Sequence, residues 1–130
     1  MNSYIELYFS IRSDETTPEF ITDYLGLTPN FSLVKGAARR EGQTSAKENV
    51  WTIKAINSKQ LNMEKQVQAL LEILMPIKQK LITISHQCSF DVECVIHLNG
   101  NPTSPDIGFK VNAVRFFAEV GIELGVDIYS

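Results

Sequence analysis

The sequence predicts an α+β domain, a ferredoxin-like α/β sandwich in which helices pack on one sheet. Three stretches, residues 4–11, 90–98 and 122–129, alternate apolar and polar side chains at every second position. Such alternation is typical of strands with one covered and one uncovered face. Residues 61–85 instead repeat apolar side chains at three- and four-residue steps, as an amphipathic helix does. The elements follow a repeated strand-helix-strand order, which predicts helices on a sheet with right-handed crossovers.

The first strand leads into a short helix predicted over residues 18–25. Thr17 can cap its start, and Pro18 suits the first helical position because that N–H has no helical partner. Gly26 follows the last helical residue and can end the helix in a left-handed conformation. The residues that this helix should bury are Phe20, Ile21, Tyr24 and Leu25.

Two further strands are predicted on either side of a long segment without periodicity. The first is short, at residues 31–34, and the second covers residues 50–56 and contains the only tryptophan, Trp51. Residues 35–49 between them lack apolar anchors, which favours a mobile surface loop. Trp51 is expected in the core, and the alternative is that it forms the base of a lid made by this loop.

The main helix is predicted over residues 61–85. Pro76 lies inside it, and proline removes one backbone hydrogen bond and clashes with the preceding turn. We therefore expect a kink there rather than two separate helices. The residues predicted to be buried, in this helix and in the strands, are Phe9, Leu70, Leu74, Phe90, Ile96 and Val126.

The last part of the chain is predicted to contain a hairpin followed by a helix and a strand. Residues 90–98 form the first strand, residues 99–106 form a loop rich in Asn, Gly and Pro, and residues 107–111 return as a strand. Asn112 can cap a short helix that Gly121 closes. The final strand would then extend the same sheet.

Length and composition indicate a soluble protein of one domain. The 130 residues are 44% hydrophobic and 21% charged, which suffices to bury a core in a single domain over residues 1–130. A formal net charge of −3 argues against a general nucleic-acid binder. No apolar run approaches the roughly 20 residues of a membrane helix, so no membrane contact is predicted.

The N-terminus and the cysteines indicate a cytoplasmic protein. Residues 1–15 lack the basic region of a signal peptide and become acidic at Asp14. Cys88 and Cys94 lie near or on one strand, about 20 Å apart, whereas a disulfide needs Cα atoms within about 7 Å. Both are therefore expected to be reduced thiols.

The histidines and cysteines predict neither a metal site nor a nucleophile. The histidines and cysteines of the chain are His86, Cys88, Cys94 and His97. Cys94 and His97 are three residues apart on a strand, so their side chains lie on opposite faces. They can therefore neither bind one metal ion together nor exchange a proton. No glycine pattern for binding phosphate occurs. The sequence thus predicts no catalytic residue, no metal and no cofactor.

Short motifs along nearly the whole chain resemble one family. They are Tyr8-Phe9-Ser10, the Leu-Gly-Leu-Thr-Pro of residues 25–29, Lys35-Gly36, Trp51 at the head of a strand, the Pro76 break and the ending at residues 121–129. Together they resemble the bacterial domain of unknown function family 4279, DUF4279. The resemblance implies a small bacterial α/β-type domain. It implies no activity and supplies no catalytic residues.

The uncovered side of the predicted sheet is the first candidate surface. It collects Tyr4, Glu6, Tyr8, Ser10, Asp91, Glu93, His97, Glu123, Asp127 and Tyr129. Crowded carboxylates could bind a cation, a basic peptide or a substrate needing acid–base help, while tyrosines favour a surface that a partner buries. An ordinary solvated face is the alternative. The acids beside the tyrosines argue against RNA, because they repel phosphate.

The basic loop of residues 35–49 is the second candidate. Arg39 and Arg40 carry planar guanidinium groups that suit a carboxylate or a phosphate. The loop could fold over the acidic face or over an anionic ligand. A charged loop that is simply solvated is the alternative.

These observations lead to two hypotheses of function. The first is a non-enzymatic protein-interaction module, a monomer or homodimer, whose open acidic and aromatic sheet face contacts a protein, with Tyr4, Tyr8 and His97 near its centre. The alternative is a small anionic-ligand-binding domain or enzyme that uses the basic loop and the sheet carboxylates. The candidate binding residues are Tyr4, Glu6, Tyr8, Arg39, Arg40, Glu93, His97 and Asp127.

Overall fold

The computed structural model describes residues 3–37, 45–56, 62–99 and 107–129. Its elements are β1 (Tyr4–Ser13), α1 (Pro18–Leu25), β2 (Phe31–Leu33), β3 (Asn49–Lys54), α2 (Met63–Leu74), a 3₁₀ turn (Met75–Ile77), α3 (Lys78–Ile84), β4 (Ser89–His97), α4 (Val111–Val120) and β5 (Ile122–Tyr129). The predicted α+β class is confirmed. Among the described helices, none is both long and apolar enough to cross a membrane.

The strands form one mixed sheet in the order β2-β3-β1-β4-β5. β1 lies in the middle and pairs antiparallel with β3 on one side and β4 on the other. β2 pairs antiparallel with β3 at one edge, and β5 pairs parallel with β4 at the other. The final strand, β5, therefore extends the same sheet, as predicted.

The core lies between the helices and one face of this sheet. Alternate residues of β1 and β4 form the sheet side of the core; they are Ile5, Leu7, Phe9, Ile11, Phe90, Val92, Cys94 and Ile96. The helices form the other side of the core, with residues that include Ile21, Leu70, Leu74, Leu81 and Phe117. Burial is thus confirmed for Phe9, Leu70, Leu74, Phe90 and Ile96.

Val126 is 47% exposed, so the prediction of its burial is wrong. Its period-two phase is right, because it lies in register with the buried Cys94 of β4. The reason is its position at the sheet edge, beyond the layer of helices. Strand phase decides the face on which a side chain lies, but not whether another element covers that face.

The start and the end of α1 are as predicted. The Thr17 hydroxyl accepts a hydrogen bond from the N–H of Phe20, Pro18 occupies the first turn, and Gly26 has a φ of 71°. Phe20, however, is 47% exposed rather than buried. An eight-residue helix covers the core with only one face, and Phe20 lies outside that face, stacked on Tyr24.

The helix is interrupted at Pro76, but the prediction of one kinked helix rather than two is wrong, because a 3₁₀ turn separates two α-helices. α2 ends at Leu74, the 3₁₀ turn Met75–Ile77 follows, and α3 begins at Lys78. The apolar stripe continues across the break, because Leu74 and Leu81 are both fully buried.

A buried glutamine on α2 completes the hydrogen bonding of β1. β3 pairs with β1 only from Tyr8 onward, which leaves the first residues of β1 without a strand on that side. The Gln66 amide group donates to the carbonyl of Ile5 and accepts from the N–H of Leu7. Gln66 is completely buried. It therefore takes the place of a missing strand residue.

The predicted hairpin after β4 is wrong. Residues 107–110 form no strand, and α4 already begins at Val111, inside the predicted return strand. Lys110 is the N-cap and makes no side-chain capping bond, so the predicted cap at Asn112 is wrong as well. The physical reason is that β5 pairs along the whole outer edge of β4. A hairpin strand would need that same edge.

The basic loop is described only near its two ends. The side chain of Asn49 accepts from the N–H of Lys35, and Gly36 and Ala37 exchange backbone hydrogen bonds with Ala46. Trp51 is fully buried and donates to the Thr22 hydroxyl at 3.0 Å, which confirms the core position over that of a lid base. Arg39 and Arg40 lie outside the described residues, as do all of residues 38–44 in the loop whose mobility was predicted.

Candidate functional site: the open sheet face

The side of the sheet opposite the helices is called the open face here, because no described helix packs on it. It is formed by Tyr4, Glu6, Tyr8, Ser10 and Arg12 of β1, Val50, Thr52 and Lys54 of β3, alternate residues of β4 from Ser89 to His97, alternate residues of β5 from Glu123 to Tyr129, and Phe31 and Leu33 of β2. All ten residues that the sequence assigned to this face lie on it. Strict period-two strands without bulges explain that agreement.

Three aromatic rings form a stacked row at one end of the open face. Tyr4, His97 and Tyr129 are register neighbours on three adjacent strands. The ring centroids of Tyr4 and His97 are 4.3 Å apart, those of His97 and Tyr129 are 5.4 Å apart, and both interplanar angles are 17°. Tyr4 and His97 therefore lie at the end of the sheet rather than near its centre, whereas Tyr8 lies midway along β1.

Glu6 connects this row to the middle of the sheet. Its carboxylate lies 3.0 Å from Nε2 of His97, accepts from the Tyr8 hydroxyl at 2.7 Å and pairs with Nζ of Lys54 at 2.8 Å. Lys54 also lies over the Tyr8 ring. Four side chains from three strands are thus held in one network around a single carboxylate.

The network changes the acidity of its members in opposite directions. Partial burial raises the pKa of Glu6, but the hydrogen bonds from Lys54 and Tyr8 and the charge of Lys54 outweigh it, so the pKa is below 4.5. Burial, together with the hydrogen bond to Glu6 and its charge, raises the pKa of Tyr8 to about 12. At neutral pH Glu6 is therefore an anion and Tyr8 a neutral donor.

A second acidic group lies toward the β5 edge. A hydrogen bond with Asp127, burial, and the charges of Asp127 and Asp91 raise the pKa of Glu93 to about 7, although Arg12 lowers it in part. Gly125 is the register neighbour of Glu93, and a Cβ at that position would collide with the Glu93 carboxylate. The glycine thus lets this carboxyl group lie flat across β5 toward Asp127.

A hollow of about 320 Å³ opens beside this acidic group. Its polar lining consists mainly of Arg12, Asp91, Glu93 and Glu123. The Arg12 guanidinium is already engaged, because Nε lies 3.1 Å from Asp91 and one terminal nitrogen lies 3.7 Å from Glu48. The hollow therefore presents more negative than positive charge.

Sequence reasoning missed the two basic residues of the open face. Arg12 lies just beyond the predicted end of the first strand, and Lys54 lies within the predicted third strand. The signal was present: Trp51 was expected in the core, and period two then places Val50, Thr52 and Lys54 on the other face. Ser10 and Thr52 also lie there and share a 2.8 Å hydrogen bond.

The predicted site residues therefore fall into two described groups. Tyr4, Glu6, Tyr8 and His97 are brought together in the first, and Glu93 and Asp127 in the second, while Arg39 and Arg40 lie outside the described residues. Within the described part of the chain, no cluster of three His, Cys, Asp or Glu side chains could hold a metal ion. What the arrangement offers is hydrogen bonding, ring surfaces and negative charge.

Comparison with known families agrees with the resemblance seen in the motifs. The family model for DUF4279, described as a domain of unknown function, matches residues 2–130. The chain belongs to the DUF4279 family. Neither the curated proteins nor the solved structures contain a match to this DUF4279 chain.

Proposed function

We propose that this DUF4279 chain is a non-enzymatic protein-interaction module whose open face contacts a partner with a basic surface. The observation that carries the proposal is the ring row Tyr4–His97–Tyr129 on a sheet face that no described helix covers. Tyr129 is 56% exposed at the end of that row. Ring surfaces with polar edges supply large contact areas at low cost in conformational entropy.

The charges of the open face support a basic partner. Five carboxylates (Glu6, Asp91, Glu93, Glu123 and Asp127) lie there, against the side chains of Arg12 and Lys54. Both basic groups are already paired with acids of the chain. A lysine or arginine from a partner would find Glu93 and Glu123 at the hollow, and the acidic field would accelerate its approach.

The side chains of this surface are held in place before binding, which also supports the proposal. Glu6, His97 and Lys54 have side-chain exposures of only 16–25% although no described helix covers them. Stacking and hydrogen bonds fix their conformations. A partner would therefore lose little entropy in ordering them.

The alternative, an anionic-ligand site or enzyme, depends on Arg39 and Arg40, and no described contact favours it. The carboxylates around the hollow would repel an anion. Arg39→Ala separates the two ideas, because it should leave protein contact unchanged but abolish the binding of an anionic ligand.

A bacterial, cytoplasmic setting forms part of the proposal. Cys88 and Cys94, the two cysteines of the chain, are unpaired, as is usual where thiols stay reduced.

We also propose that the fold is a ferredoxin-like arrangement. The order β2-β3-β1-β4, with each helical connection joining strands that have one strand between them, supports a ferredoxin-like arrangement extended by β5.

The test compares capture by matched variants. Tagged protein is incubated with a lysate of the cells that produce it, and the bound proteins are quantified for wild type, Glu93→Lys and Tyr8→Ala. Glu72→Lys on α2 and Tyr24→Ala on α1 are the controls, since they make the same changes on the helical side. We expect one or more proteins to be lost with both open-face variants and retained with both controls.

Circular dichroism of each variant must match wild type. The charge reversal should also slow association and weaken its dependence on salt. If Tyr8→Ala and Glu93→Lys leave every detected interaction unchanged, the open face is only a solvated surface and the proposal is wrong.

A further inference from the structure

The two edges of the sheet are protected very differently. β2, at one edge, is three residues long and begins two residues after Pro29. β5, at the other, is eight residues long, pairs with β4 without a bulge and contains no lysine, arginine or proline. Soluble proteins ordinarily protect a long edge strand with charged side chains, especially lysine, with proline, or with a covering element. The charged side chains of β5 are Glu123 and Asp127, and both lie on the open face. No described residue pairs with the outer edge of β5.

The outer edge of β5 also carries apolar side chains. Leu124, Val126 and Ile128, called the edge stripe here, are 44%, 47% and 61% exposed. They lie on the helical side of the sheet, in register with Val92, Cys94 and Ile96, whose exposures are at most 1%. The edge stripe thus continues the apolar surface of the core onto β5, where the helices no longer cover it.

The backbone of β5 directs free hydrogen-bonding groups outward at the same residues. The carbonyl of Tyr129 accepts from the N–H of Leu98 at 2.8 Å, so the odd-numbered residues of β5 face β4. Because backbone groups alternate along a strand, Leu124, Val126 and Ile128 direct their N–H and C=O groups away from β4. An added strand would pair with these residues.

We propose that two copies of the chain pair antiparallel through β5, about a two-fold axis perpendicular to the sheet at Val126. Two sheets of five strands then become one continuous sheet. The axis keeps the helices of both copies on one side and both open faces on the other. The proposal goes beyond protein contact through the open face, because it uses the edge of the sheet and its helical side.

The apolar side chains of β5 are self-complementary in this register. Val126 lies opposite its own copy, and Leu124 lies opposite Ile128 of the second copy. Directly opposed apolar side chains on an antiparallel pair stabilise it. These three also direct their backbone groups outward, so they form hydrogen-bonded pairs.

In the same register, no acidic side chain of β5 lies opposite another acidic side chain. Asp127 lies opposite Gly125, which has no side chain, and Glu123 lies opposite Tyr129. Centring the axis on Gly125 instead would set Glu123 against Asp127 twice, in the closer, non-hydrogen-bonded pairs. Like charges directly opposed are destabilising. Charge therefore favours Val126 over Gly125 as the centre.

The first experiment measures the oligomeric state by sedimentation velocity over a range of protein concentrations. We expect a monomer–dimer equilibrium for wild type, weakened by about tenfold or more in Val126→Lys, where two ammonium groups would face each other. Ile128→Lys is a second variant with the same expectation. Glu72→Lys, on an exposed position of α2, and Tyr8→Ala, on the open face, should leave the equilibrium unchanged.

The second experiment tests the register with a short bis-maleimide cross-linker in a Cys88→Ser background. Cys94 stays, because it is fully buried. Val126→Cys should cross-link to itself. Leu124→Cys and Ile128→Cys should cross-link when mixed but not separately, since like positions would lie about 13 Å apart along the strands.

Several results would overturn the proposal. A chain that stays monomeric up to about 1 mM excludes it, and so does a dimer that survives both lysine substitutions in folded protein. A dimer lost with Tyr8→Ala but kept with Val126→Lys assigns self-association to the open face instead. A negative result in the open-face capture experiment does not contradict the β5 proposal, because the two experiments test different surfaces with different variants.

Discussion

Two glutamates on the open face illustrate how neighbours alone determine the behaviour of a side chain. Glu6 is surrounded by donors and by the Lys54 ammonium, which lower its pKa below 4.5. Glu93, one strand away, meets Asp127 and Asp91, and its pKa rises to about 7. The first acid stabilises the fold when charged. The second stabilises it when protonated.

Glu93→Gln should reduce the pH dependence of stability. Because the folded protein holds the Glu93 proton more tightly than the unfolded chain, wild-type stability should fall as pH rises from about 4.5 to about 7 and then level off. Glutamine keeps the hydrogen bond to Asp127 without the charge. Thermal unfolding near pH 4.5 and above pH 7 should show a smaller drop for the variant, which becomes the more stable protein at the higher pH.

Gly125→Ala offers an independent check on the geometry around Glu93. The new methyl group would displace the flexible Glu93 carboxyl group from Asp127, so this variant should also flatten the pH dependence. Glu6 does not interfere, since its lowered pKa acts only below about 4.5. Equal pH profiles for wild type, Glu93→Gln and Gly125→Ala would show that Glu93 titrates normally.

Among the elements, β1 and α2 depend on each other most directly. β1 is the central strand, yet its first residues have a strand partner only on the β4 side. Gln66 supplies the other side from within an otherwise apolar helix face. Buried backbone groups need partners, so a polar side chain in the core stabilises this sheet.

Gln66→Leu should be strongly destabilising. It leaves the Leu7 N–H and the Ile5 carbonyl buried without partners, at about 1–3 kcal/mol for each group. Urea unfolding of wild type and variant gives the difference in free energy. Gln79→Leu, at an exposed position of α3, is the control and should change stability by less than about 0.5 kcal/mol. A cost no larger than the control's would contradict the role given to Gln66.

Leu74→Ala tests the packing at the end of α2. Leu74 is fully buried at the end of α2, immediately before the 3₁₀ turn that contains Pro76, so truncation should cost about 2–5 kcal/mol. Its neighbour Met75 is 60% exposed, and Met75→Ala should be nearly neutral. The same urea titration measures both. Equal effects would indicate that the phase of the helix is shifted by one residue.

For the whole molecule, the central fact is a sheet with one covered and one open side. The helical side buries the large apolar residues from most elements together with Trp51. The open face is stabilised by cross-strand pairs and networks instead. The apolar core and the proposed contact surface thus lie on opposite sides of the same strands, so open-face substitutions should leave the core intact.

One shared core predicts cooperative unfolding. Trp51 is fully buried and is the only tryptophan, so its fluorescence reports on the core, while far-ultraviolet circular dichroism reports on helices and strands. The two urea transitions should coincide. A rising midpoint with protein concentration is expected if β5 pairs between copies. Separate transitions for the two probes would contradict a single cooperative core.

Local signals were sufficient for the phase of the strands and for the boundaries of α1, although not for the start of α4. Period two assigned both faces of β1, β4 and β5, because successive side chains of a strand must alternate. Thr17, Gly26 and Pro76 act locally, so the boundaries of α1 and an interruption near Pro76 were predictable, whereas the division into two helices was not. The ten residues of the open face followed from the same alternation.

Only the tertiary structure decided which strands are neighbours and what covers them. The parallel pairing of β4 with β5 excluded the predicted hairpin strand at residues 107–111, since one strand edge accepts one partner. The edge position of β5 exposed Val126 despite its inward phase. Gln66, Lys54 and Gly125 acquire their roles from contacts distant in sequence. Periodicity records how a residue is oriented within its own element, whereas packing depends on residues that the local sequence does not contain.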